Sequence, residues 1–203
     1  MKTFRLAIVL GCVLALAGLA SAQSVDAYFG LNALTASRSP GLPYLGGGTY
    51  MNFGGDLVFF HGLGFGAEAA FRASQTAYLV PGSAATLGYD QPVRPLFYDF
   101  NAVWEPASLP WVTPVIEAGI GAASFRFYQD YYTCGTFSGC TDYASSNHLM
   151  LHLGVGANFY VTSHIFIRPM ADLYVIRHDY EFGAGTARQF GVAVGYTLRS
   201  TPF

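Results

Sequence analysis

The segment "RQFGVAVGYTLRS", Arg188 to Ser200, alternates almost without a break. Phe190, Val192, Val194, Tyr196 and Leu198 fall on one side; Gln189, Gly191, Ala193, Gly195, Thr197 and Arg199 fall on the other. A period of two specifies a β-strand. It leaves open which face is wet. A soluble sandwich buries the large residues, whereas a barrel in a bilayer turns them outward.

Other segments narrow the choice. In 147–161 the face with Leu149, Leu151, Leu153, Val155 and Phe159 opposes His148, Met150, His152, Gly154, Gly156 and Asn158. In 63–73, Phe65, Ala67, Ala69 and Phe71 oppose Gly64, Gly66, Glu68, Ala70 and Arg72. In 164–177, Ile165, Ile167, Ala171, Leu173 and Val175 oppose Arg168, Met170 and Asp172. The charged face is also the face of small residues. Solvent gives no steric reason for that preference, but the interior of a narrow eight-stranded barrel does, because side chains fill it. The large residues are therefore expected to face lipid.

Eight strand-like segments are predicted: 24–33, 48–60, 63–74, 93–104, 111–127, 147–161, 164–177 and 188–199. Short turns ("HGLG", "EPASLP", "VTSH") alternate with long connections, among them "YQDYYTCGTFSGCTDYASS". Two unequal rims describe an eight-stranded antiparallel up-and-down transmembrane β-barrel, with short turns periplasmic and long loops extracellular. Aromatics bracket each short turn: Phe59, Phe60 and Phe65, then Trp104 and Trp111, then Phe159, Tyr160 and Phe166. Amphipathic rings gather at membrane interfaces.

Composition agrees. Charged residues are 11% and hydrophobic residues 52% of 203, too apolar for an ordinary soluble domain, where about 25% are charged. Beyond residue 22 no apolar run approaches the roughly 20 residues of a membrane helix. Residues 1–22 carry Lys2 and Arg5, an apolar run and Ala20-Ser21-Ala22, which reads as a cleaved secretory signal. The barrel then spans 23–203. The mature part has eight arginines against twelve acids, so the basic footprint of a nucleic-acid binder is missing. Cys134 and Cys140 are expected to form a disulfide in an exported chain, worth about 2 kcal/mol by chain entropy.

Six carboxylates, Asp26, Asp56, Glu68, Asp99, Glu117 and Asp172, point inward by alternation, as do Arg72, His152, Arg168 and Arg199. They are expected to form a polar network that fastens the lumen shut. Counting from the short turns sets Asp56 against Glu68 and Asp99 against Glu117, with Arg199 beside Asp26 across the closing seam. A proton or cation path is the alternative reading of the same residues.

The last strand also resembles the C-terminal assembly signal of outer-membrane barrels, through Gln189, Gly191, Val194 and Tyr196, with Phe203 as the final aromatic. "WVTPVIEAGIGA" and "HIFIRPMADLYV" are similar to strands of the OmpA/OmpX-like small outer-membrane barrels. That resemblance implies residence in the bacterial outer membrane, contact with its lipids and handling by the barrel assembly machinery. No GxSxG, metal-spaced cluster or Walker loop occurs, so no catalytic residue, metal or cofactor is expected. The expected role is structural or interactive, with long loops offered to surface partners. A narrow channel is the first alternative. A lipid-modifying enzyme built from Ser145, Ser146 and His148 with Asp142 or Asp179 is the second.

Overall fold

The computed structural model describes residues 24–36, 47–79, 90–107, 109, 111–135, 139–177 and 185–199. Residues 1–22, read above as a secretory signal, Phe203 and Asp179 lie outside them. The strands are β1 (Ser24–Ala36), β2 (Gly48–Phe60), β3 (Leu63–Arg72), β4 (Thr76–Leu79), β5 (Asp90–Trp104), β6 (Val112–Gly135), β7 (Gly139–Tyr160), β8 (Ile165–Ile176) and β9 (Thr186–Arg199). Every pairing is antiparallel. β1 joins β9, and β3 pairs with both β2 and β5. The sheet therefore closes on itself. The short β4 continues the position of β3 along β5, so nine strands make eight staves.

The registers fix the stagger. Following directly opposite residues from Val112 through Phe159, Ile167, Val194, Phe29, Phe53, Ala69 and Tyr98 returns to β6 at Ala122, ten residues farther along. A stagger of this kind tilts the strands and sets the width of the interior.

The faces fall as alternation requires. Leu31, Phe100, Ile120, Leu153, Val155, Val192 and Val194 are exposed outward, while Asp26, Asp56, Glu68, Asp99, Glu117, Arg168 and Asp172 are buried. Small residues inside are a steric necessity. A Cβ on Gly54 would stand 2.5 Å from the Tyr28 hydroxyl, and one on Gly154 would stand 2.9 Å from Asp172 Oδ1.

Three sequence expectations need correction. The region read as the long loop "YQDYYTCGTFSGCTDYASS" is largely strand: β6 and β7 continue as a ribbon, and Cys134 sits directly opposite Cys140. Alternating Tyr, Thr and Ser suit a ribbon that is wet on both faces. Second, Tyr160 and Phe166 do not join the outward aromatic belt. Phe166 is fully buried and packs edge-on against Tyr160 at 6.0 Å, closing the short-turn end of the lumen. Phe59, Phe65, Trp104, Trp111 and Phe159 do face outward.

The third correction concerns which acids meet. Asp56 lies opposite Gly66 and Asp26; Glu68 lies opposite Gly54 and Asp99; Glu117 lies opposite Val103 and Gly154. Thr197, rather than Arg199, is directly opposite Asp26. For Asp56 and Glu68 the cause is turn geometry. His61 and Gly62 both have positive φ, giving a two-residue turn, and the register shifts once between Val58 and Phe60. Positive φ at both positions is what a type I′ hairpin turn demands. An even slip keeps every face and changes every opposite residue.

The same turn creates a titrating site. Glu105, just past β5, donates its backbone N–H to Gly62 O at 2.7 Å. Burial, with the Asp26 charge adding, pushes its carboxyl up from about 4.5 to about 7. An acid raised on folding is better tolerated when protonated, so its contribution is most favourable below about 4.5 and declines as pH rises to about 7. Glu105→Gln should flatten that part of the stability profile, read by urea titration at pH 5 and pH 8 in lipid. Parallel curves for the variant and the parent would refute this assignment.

Candidate functional site

The lumen is stacked in three layers. Nearest the short turns, Arg168 on β8 is the hub. Its Nη2 lies 2.8 Å from Asp56 and 3.5 Å from Asp26, and its Nη1 donates to Glu117 Oε1 at 3.3 Å. Its Nε donates to Asn158 Oδ1 at 2.6 Å. The guanidinium lies over the Tyr28 ring at 4.3 Å. A planar fork with five donors suits this many-sided contact, where a lysine would not. Asp26 is satisfied further, accepting from Thr197 Oγ1 at 2.5 Å and Asn158 Nδ2 at 3.2 Å.

In the middle layer His152 stands between two carboxylates. Nδ1 is 3.2 Å from Asn101 Oδ1 and 3.3 Å from Asp99 Oδ1, and Nε2 is 3.4 Å from Asp172 Oδ1. Acceptors at both ring nitrogens are served together only by a ring carrying both protons. Glu68 Oε2 accepts from the Tyr28 hydroxyl at 2.9 Å, and Gln189 Nε2 donates to Asp172 Oδ2 at 3.3 Å and to Tyr174 OH at 3.2 Å. Thus Arg168 serves three acids and His152 two.

Toward the long-loop end the lumen turns apolar. Leu34, Tyr50, Phe97, Phe125, Met150, Tyr174 and Ile176 form one buried cluster. Phe97 stacks on Tyr174 at 5.3 Å and packs against Tyr50 at 5.7 Å. A water-filled path would have to pass through this packing, so the arrangement favours a fastened plug over a conduit.

The remaining expected residues are placed as follows. Arg72 lies a layer above the carboxylates, opposite Tyr50 and against Gly48. Arg199 is at the short-turn rim, donating to Thr113 Oγ1 at 3.3 Å with its guanidinium 4.2 Å from the centre of the Tyr160 ring. Of the assembly-signal positions, Gln189 is buried in the network, Gly191 abuts the Asn32 amide, and Val194 and Tyr196 face outward. Sequence reasoning missed the neutral members Tyr28, Asn101, Asn158 and Thr197. Inward parity was the signal for all four, and Asn158 and Thr197 share the faces of His152 and Arg199 in the sequence. Ser146 Oγ does sit 2.9 Å from His148 Nε2, a contact open to any serine two residues before a histidine on one strand face.

Cys134 and Cys140 are joined in a disulfide at the tip of the β6–β7 ribbon. Its removal by Cys134→Ser with Cys140→Ser should leave the barrel folded and speed proteolysis of the ribbon. Unchanged cleavage would show that the bridge restrains nothing there.

No family model matches the chain, and no curated protein matches it. Solved structures do. The attachment invasion locus protein Ail of Yersinia pestis, in complex with the heparin analogue sucrose octasulfate, aligns with a TM-score of 0.55 at 12% identity, covering 86% of this chain and 98% of that one. OprG of Pseudomonas aeruginosa aligns at 0.54 and 12%, covering 89% and 98%. Neisserial surface protein A aligns at 0.52 and 10%, covering 87% and 96%. The fold is that of the small eight-stranded outer-membrane β-barrels.

Proposed function

We propose that this chain is an integral protein of the bacterial outer membrane, exported by its first 22 residues. Its barrel is a sealed anchor, and its long-loop end serves contacts at the cell surface. The observation that carries this reading is the inversion of faces: an outward apolar wall around a buried, ion-paired interior. Short turns face the periplasm and the disulfide-tipped ribbon faces outside, which matches the rim asymmetry of such barrels. The similarity to surface proteins such as Ail and NspA supports a role in contact with surface partners, and the assembly machinery would read the last strand.

Fractionation with protease treatment of whole cells tests this. The chain should sediment with outer membranes, and external protease should cut the β6–β7 ribbon while sparing the barrel. Recovery in the soluble periplasmic fraction would overturn the membrane reading. Cleavage only after the outer membrane is permeabilised would reverse the orientation. Because the lumen is packed, planar bilayers should show no steady single-channel conductance. Reproducible unitary steps would instead favour the channel alternative.

A further inference from the structure

Among the described residues four arginines point outward, and all four lie toward the long-loop end. Arg94 follows the outward Leu96 in height on β5, Arg177 follows Val175 just beyond β8, and Arg188 follows Phe190 on β9. Arg126 shares its face with Tyr128 on β6. Each ends, or lies just beyond, the apolar run of its strand.

The barrel stagger brings three of them level. Ten residues per circuit of eight staves raises a row by about 1.25 residues per strand. With that rise removed, Arg94, Arg126 and Arg177 lie within about two residues of one height, and Arg188 about three residues lower. Arg94 and Arg126 are directly opposite one another, an unfavourable placement for like charges unless an anion lies between them. Arg94 Nε is buried with no hydrogen-bond acceptor, and the Arg126 guanidinium is 5.0 Å from the centre of the Tyr143 ring, which steadies it. The ion pairs of the described residues lie in the lumen and involve none of these four arginines. Below Arg188 runs an outward groove of about 430 Å³, lined by Ile116, Leu153, Val155, Leu173 and Phe190.

We propose that the outer wall from β5 to β9 binds a phosphorylated glycolipid of the outer leaflet. One phosphate is held by the Arg94–Arg126 pair and a second by Arg177, while an acyl chain lies in the groove beneath Arg188. Guanidinium groups take phosphate in a forked geometry. The choice of lipid follows from spacing. Arg126 is opposite Ser145 on β7, and Arg177 bonds to Leu149 O on the other side of that strand. The two are therefore two strands and four residues apart, about 16 Å between backbones. Side chains reaching toward each other bring that to the separation of two phosphates on opposite ends of a disaccharide. Phosphatidylglycerol offers one.

This surface rests on the membrane reading above, so the test separates the two. The purified full chain is reconstituted in phosphatidylcholine nanodiscs containing bis-phosphorylated lipid A, its mono-phosphorylated form or phosphatidylglycerol, and retained lipid is counted by native mass spectrometry. Bis-phosphorylated lipid A should be retained in preference to both. Arg177→Gln should lower its retention about fivefold, and Arg94→Gln with Arg126→Gln about 25-fold. Heat-modified gel mobility confirms that each variant is folded. Variants that retain lipid A like the parent, or phosphatidylglycerol held equally well, would overturn this surface and leave the barrel standing. Failure of the parent to insert at all would overturn both.

Discussion

Replacing Arg168 by methionine is expected to cost about 3–5 kcal/mol of folding stability in lipid, because a buried charge cluster loses its cation. Asp26, Asp56 and Glu117 would then share one poorly solvated layer without the guanidinium that now lies between them. Arg168→Lys should recover only part of this, since an ammonium cannot reach three carboxylates and Asn158 in one plane. Adding Asp56→Asn to Arg168→Met should recover more, because it removes the carboxylate with the shortest contact, 2.8 Å. Urea titration followed by tryptophan fluorescence reads all three, with Trp104 and Trp111 at the outer surface as reporters. A loss under about 1 kcal/mol for Arg168→Met would mean that the layer is not held by charge.

Leu153→Arg should cost about 2–4 kcal/mol, the range for a cation on the lipid face near the midplane. Leu153 is 55% exposed with outward Leu151 and Val155 on either side, so in water this change would remove nothing and bury nothing. The prediction therefore tests the medium as well as the residue. Asn147→Arg, on the same face of β7 but level with the arginine belt, should cost about 0–1 kcal/mol. The inward neighbour behaves differently: Gly154→Leu should fail by collision with Asp172, His152 and Glu117, whatever surrounds the barrel. Equal tolerance of arginine at 147 and 153 would show that no hydrocarbon layer lies against β7.

The sequence by itself determined the faces. Alternation placed Glu68, Asp99, His152, Arg168 and Asp172 inside and Leu153, Val155 and Val194 outside, and each lies so. That information is local, because successive side chains on a strand must point oppositely whatever the strand pairs with. The pairing of glycine with charge was equally legible, since it reports the width of the space those faces share. Strand number and the closing of the sheet followed from counting turns. The tertiary structure alone decided who meets whom. The two-residue turn at His61-Gly62, one register shift beside it and a stagger of ten residues moved Glu68 opposite Asp99 and put Arg168 among Asp26, Asp56 and Glu117. The same stagger brought Arg94, Arg126 and Arg177 level on strands far apart in the chain. Tyr160 and Phe166 turned inward because the floor of the barrel needed filling. A period of two survives any even slip of register, so a sequence can specify a face without specifying what stands across from it.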